Sequence, residues 1–229
     1  MKNTAKNTIR FFWPSMLIWF SVWMTTTGIS AQEIQEVGGP LGENTVWTNE
    51  YLYVVTDDLI VSSGISLEIE SGVIVKFNQG RGLIVENGTF LVNGTEADSV
   101  NFLPNHTGND DWNWKGIAIS AITENEEVSI QYAKIHKAII GIAVNASVGI
   151  EVKNSSISEN LNKGISLTNT SESRITDCYF SVNFLGVEIF SSDVGNSSTG
   201  NLIDQNWFKG HTTAILIHTS NNGICRDNL

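Results

Sequence analysis

Gly141-Ile142-Ala143-Val144, Gly164-Ile165-Ser166-Leu167, Gly186-Val187-Glu188-Ile189 and Ala214-Ile215-Leu216-Ile217 are one short phrase written four times. A small residue opens each run, and apolar side chains then fall at every second position. That alternation sends one set of side chains inward and the other outward, as in a strand. Working outward from these runs gives three apolar columns: Ile130, Val152, Ile175, Ile203; Ile135, Ile157, Phe180, Phe208; and Ile142, Ile165, Val187, Ile215. In each column the first two steps are 22 and 23 residues, in one order or the other, and the third is 28. The extra residues have a home in the polar stretch from Ser191 to Gly200, which carries no apolar pattern. A period near 22 is too short for a pair of helices, and the Leu and Asn spacing of leucine-rich repeats is absent. It fits a β-solenoid, whose coils stack about 4.8 Å apart and share one core.

Two more columns follow the register. Ala133, Ser155, Cys178, Asn206 and Asn228 align, and Asn stacked on Asn can exchange amide hydrogen bonds along a solenoid. Cys225 extends the first aliphatic column. Cys178 lies two coils earlier in a different column, and two coil steps of about 9.6 Å exceed the reach of a disulfide. The spacing predicts two free, buried thiols.

The N-terminal half is strand-rich but less regular. Strands are expected at Tyr51–Val55, Leu59–Val61, Leu67–Ile69, Val73–Phe77, Leu83–Val85, Phe90–Val92, Val100–Phe102 and Ile117–Ile119. Turns punctuate them at Ser63-Gly64, Ser71-Gly72, Gly80-Arg81-Gly82, Asn87-Gly88 and Asn93-Gly94.

The stretch from Tyr53 to Phe77, with Leu67-Glu68-Ile69-Glu70-Ser71-Gly72-Val73-Ile74-Val75-Lys76-Phe77 at its end, resembles the opening coils of secreted bacterial right-handed parallel β-helix proteins. Leu91-Val92-Asn93-Gly94-Thr95, Val100-Asn101-Phe102 and Trp114-Lys115-Gly116-Ile117 continue the resemblance, and the region after Val128 is similar to repeats of the pectin-lyase-like superfold. The resemblance spans Val46 to Leu229 and implies an all-β fold, a right-handed parallel β-helix of about 22 residues per coil. It implies little about activity, because function on such a fold lives in local sites. The Asp cluster with Arg-x-x-Arg of calcium-dependent pectate lyases is missing. So is the Asn-Thr-Asp, Gly-His-Gly and Arg-Ile-Lys set of polygalacturonases. No catalytic residue is therefore carried over.

Residues 1–31 have the layout of a secretory signal peptide: Lys2, Lys6 and Arg10, then the apolar run Phe11–Met24, then small residues ending at Ala31. The run is 14 residues long, short of the roughly 20 that span a bilayer. Residues 32–45 read as an N-terminal extension and 46–229 as the β-helix. The sequence stops at Gly223–Leu229, which looks like the first third of another coil, so an incomplete C-terminal end is expected. The expected location is secreted or at the cell surface.

The formal charge is −11, from 24 acidic and 13 basic residues. That argues against nucleic acid, whose phosphates need clustered Lys and Arg, and it counts against an acidic polysaccharide unless a cation bridges the two. The candidate ligand loop is Asn105–Trp114. In it Asp110 and Asp111 could bind Ca²⁺, the one cofactor suggested, and Trp112 and Trp114 could stack on sugar rings. Lys134, Lys137, Lys209 and His211 lie near one turn line that could hold an anion. His106, His136, His211 and His218 share no column, so no histidine metal site is implied. The leading expectation is a non-catalytic binding or presentation module with a polysaccharide ligand. A polysaccharide lyase or hydrolase and a structural stalk are the alternatives.

Overall fold

The structure, a computed structural model, describes residues 32–106, 113–191, 198–218, 220–221 and 223–229. They form strands and turns, with no helix among the described residues. The chain opens with β1 (Glu33–Pro40), β2 (Thr45–Trp47) and the long β3 (Tyr51–Ser62). From there it winds as a right-handed parallel β-helix. β2 and β3 make coil 1, and coils 2 to 7 occupy 66–86, 89–120, 128–145, 151–168, 174–190 and 202–218. Ile224–Arg226 begins an eighth coil.

Every strand pair is parallel, and each coil contributes to three faces. Face 1 is an 8-stranded sheet that starts with β2 and ends with Ile224–Arg226. Faces 2 and 3 are joined in one 14-stranded sheet because β3 bends through both. Its first half pairs with Ile74–Phe77 on face 2 and its second half with Gly82–Glu86 on face 3.

The three apolar columns lie inside, in the expected register, and run further back than the repeat itself. Face 1 buries Trp47, Ile69, Val92, Ile130, Val152, Ile175 and Ile203 one above another. Face 2 stacks Tyr53, Val75, Phe102, Ile135, Ile157, Phe180 and Phe208. This continuous core is what lets short strands, unstable singly, hold together.

The small residue that opens each face 3 run has a steric cause. A Cβ on Gly141 would lie 2.6 Å from the carbonyl oxygen of Gly164, and one on Gly164 2.6 Å from that of Gly186. Ala214 occupies the same place in coil 7, where no described strand stacks above it.

The corners turn on single left-handed residues. Tyr132, Asn154, Asp177, Gln205 and Asp227 take positive φ between faces 1 and 2, as do Lys137, Glu159 and Val182 between faces 2 and 3. Polar side chains then bridge the coils. At the first corner Ala133 N donates to Ser155 Oγ (3.0 Å), Cys178 N to Asn206 Oδ1 (2.9 Å), and Asn206 Nδ2 to Asn228 Oδ1 (3.0 Å). A second ladder stands at the next corner. There Ala138 N donates to Asn160 Oδ1 and Asn160 Nδ2 to Asn183 Oδ1. These bonds satisfy backbone donors that a tight turn would otherwise bury unpaired.

One detail adds to the expectation and one differs from it. Residues 33–40, read as part of an extension, form β1, which pairs with both halves of β3. Its register shifts between Val37 and Gly39, where Gly38 nests against Asp57 and lets the strand follow the bend. The cysteines are both free, and Cys178 is buried, but Cys225 is exposed. Cys225 pairs with Ile203 in the first column as expected, yet no described coil lies above to cover it.

Candidate functional site

Trp114 is not a ligand-facing side chain. It is fully buried, stacked on Phe77 at 4.1 Å, and its indole Nε1 donates to the His136 carbonyl at 3.0 Å. With small Ala138 as its partner in the next coil, the ring fills the corner between faces 2 and 3. Asp110, Asp111 and Trp112 lie outside the described residues, and with them the Ca²⁺ site they suggested. Among the described residues no group of three or more His, Cys, Asp and Glu side chains converges to hold a metal. No helix among them is long and apolar enough to cross a membrane.

The outward side of face 2 offers a different arrangement. Its first outward column, read from coil 2 upward, is Ile74, Asn101, Lys134, Ser156, Tyr179 and Trp207. Beside it run Lys76, Leu103, His136, Ser158, Ser181 and Lys209. Tyr179 and Trp207 are direct partners on neighbouring strands, so their rings project one strand spacing apart, about 4.8 Å. They are 39% and 55% exposed.

The backbone under both rings is fixed. The inward neighbours Phe180 and Phe208 stack at 4.8 Å with planes 7° apart. The preceding residues, Cys178 and Asn206, are rungs of the first polar ladder, and Asn206 Nδ2 also donates to the Ile175 carbonyl at 2.9 Å. An aromatic pair on such a base is held at little entropic cost, which is what a flat apolar ligand face needs. Serine hydroxyls at 156, 158 and 181 lie in the same two columns. Next to them, at the corner with face 3, Leu161, Val182 and Phe184 form an exposed apolar ridge.

The suggested anion line is partly brought together. Lys134 and Lys209 stand exposed on face 2, in its two adjacent columns, and Lys137 stands at the corner beside it. His211 is committed elsewhere: its Nδ1 lies 3.2 Å from Asn183 N and 2.9 Å from Asn183 O, as the last rung of the second ladder. His136 is half-buried, and burial lowers its pKa below the ordinary value, with Lys137 acting in the same direction and Glu159 against it.

Face 3 carries an apolar groove of about 260 Å³ over Ile84, Ala118 and Ala143. Ion pairs flank it, Lys115 with Asp58 and Lys163 with Glu188, and Ser166 Oγ donates to Glu188 at 3.2 Å. Its polar groups are thus already partnered, leaving few to orient a ligand. The aromatic pair on face 2 could have been found in the sequence, because Tyr179 and Trp207 sit one position before the Phe180–Phe208 column and repeat with the same step of 28.

No protein-family model matches the chain, and no curated protein matches it. Among solved structures the chain is similar to the A-module of a mannuronan C-5 epimerase from Azotobacter vinelandii. The two are 14% identical over 86% of this chain and 58% of that one, with a TM-score of 0.43.

Proposed function

We propose that the protein is an exported, non-catalytic module that binds a polysaccharide on face 2, with Tyr179 and Trp207 as the stacking platform. One observation carries this reading: two exposed aromatic rings in direct register on adjacent strands, underpinned by the Phe180–Phe208 stack and flanked by hydroxyls. The faces of a sugar ring are apolar and its edge is polar, so such a platform offers it burial and hydrogen bonds together. The signal-like layout of residues 1–31 supports export. Sequencing the N-terminus of the exported protein tests that part, and Gln32 is the expected first residue.

Affinity gel electrophoresis over a panel of soluble polysaccharides tests the binding. At least one polysaccharide should retard the protein, and Tyr179→Ala/Trp207→Ala should remove that retardation with little change in thermal midpoint, because both side chains are exposed. Release of new reducing ends or unsaturated products by the purified protein would overturn the non-catalytic reading.

A further inference from the structure

We infer that the polysaccharide taken by face 2 is acidic, its carboxylate or sulfate groups held by Lys134 and Lys209. This rests on the platform reading above and names the ligand class. The net charge of −11 argued against it, but the structure partitions that charge by face.

Among the described residues most cations away from face 2 are paired, with Arg174 on face 1 and Lys137 at the corner as the exceptions. Arg81 pairs with Asp57 at 2.9 Å, Lys115 with Asp58, Lys153 with Glu151 at 4.0 Å, Lys163 with Glu188, and Arg226 with Asp204 at 3.0 Å. On face 2, Lys76, Lys134 and Lys209 pair with no carboxylate among the described residues, and neither outward column holds an acid from Ile74 to Lys209. Acids stand at the corners that flank the face, Asp177 and Asp227 on one side and Glu159 on the other, the last in line with Lys137 and Val182. Among the described residues, face 2 thus brings unpaired ammonium groups beside exposed rings in an acidic protein.

The spacing suits a polymer. Lys134 stands in coil 4 and Lys209 in coil 7, three coil steps or about 14 Å apart along the axis. The aromatic pair occupies coils 6 and 7 between and beside them. A chain lying along the axis can rest its rings on Tyr179 and Trp207 while anionic groups meet both lysines. Charge-assisted contacts of that kind are the stronger hydrogen bonds, and their contribution is screened by salt.

The test uses affinity electrophoresis and titration with polygalacturonate, carboxymethylcellulose and dextran sulfate, against neutral hydroxyethylcellulose and dextran. The proteins are the wild type, Lys134→Gln/Lys209→Gln and Tyr179→Ala/Trp207→Ala. The wild type should bind an acidic polymer and not its neutral counterpart. Affinity should fall about tenfold in the lysine variant and fall again as salt is raised. Preference between the carboxylated and sulfated polymers distinguishes the anion. Binding of neutral polymers only, lost in the aromatic variant and unchanged in the lysine variant, would overturn the acidic-ligand inference and leave the platform intact. Acidic binding lost in the lysine variant but kept in the aromatic one would overturn the platform instead. Absence of binding to every polymer would overturn both.

Discussion

Gly164 lies so close to the next coil that a Cβ there would sit 2.6 Å from the carbonyl oxygen of Gly186. Its requirement for glycine is therefore one of contact with the coil above and not of left-handed backbone. Gly164→Ala must push two paired strands apart and should cost about 2 kcal/mol or more. Ala214→Gly, at the equivalent place in coil 7, should cost no more than about 1 kcal/mol. Urea denaturation of both variants checks the pair. Equal, small effects at the two positions would contradict the stacking account.

Val182 holds φ at 55° on the corner between faces 2 and 3, where the next coil has Gly210 at 72°. A β-branched residue is strained there, and its side chain is 61% exposed, so little burial offsets the strain. Val182→Gly or Val182→Asn should stabilise the protein by about 1 kcal/mol. A loss of stability in both variants would show that the ridge with Leu161 and Phe184 contributes more than the strain costs.

The cysteines should differ in reactivity. Burial pushes the Cys178 thiol up to about 12, whereas Cys225 is exposed. A thiolate-directed reagent at neutral pH should label Cys225 alone in the native protein and both residues after denaturation. Native labelling of Cys178 would mean that the last coils open readily.

His136 makes stability depend on pH. Its pKa lies below the usual value in the folded state, chiefly because of burial, so the unfolded chain takes up the proton first. The stability this neutral ring contributes is present above the ordinary histidine pKa of about 6.5 and is lost as pH falls below it. His136→Gln should flatten that part of the curve of denaturation midpoint against pH. An unchanged slope would assign the acid sensitivity to other groups.

Much of this fold was legible because its core columns repeat at a fixed step and use aliphatic residues. Ile130, Ile135 and Ile142 each led to the correct partners coil after coil. The first corner ladder was readable for the same reason, since Asn206 and Asn228 sit in one column. Less legible were features that do not repeat or do not advertise themselves. β1 contains Gly38-Gly39-Pro40, which breaks the alternation that marks a strand, and its pairing depends on a bulge that follows the bend of β3. The left-handed corners use Tyr132, Lys137 and Val182, residues with no preference for that conformation. Trp114 looked like a loop aromatic because its role as a core plug is set by Phe77 and Ala138, which are distant in sequence. The aromatic pair on face 2 is less apparent because its column mixes Lys, Ser, Tyr and Trp, so it shows only when the register of the Phe180–Phe208 column is followed.

Oxidative footprinting of Trp207 with and without bound polysaccharide tests the central claim most directly. With a saturating polysaccharide that binds the wild type, oxidation of Trp207 should slow several-fold, while the buried Trp114 stays unoxidised in both states. Oxidation of Trp207 at the same rate in the free and bound protein would contradict the assignment of face 2 as the binding surface.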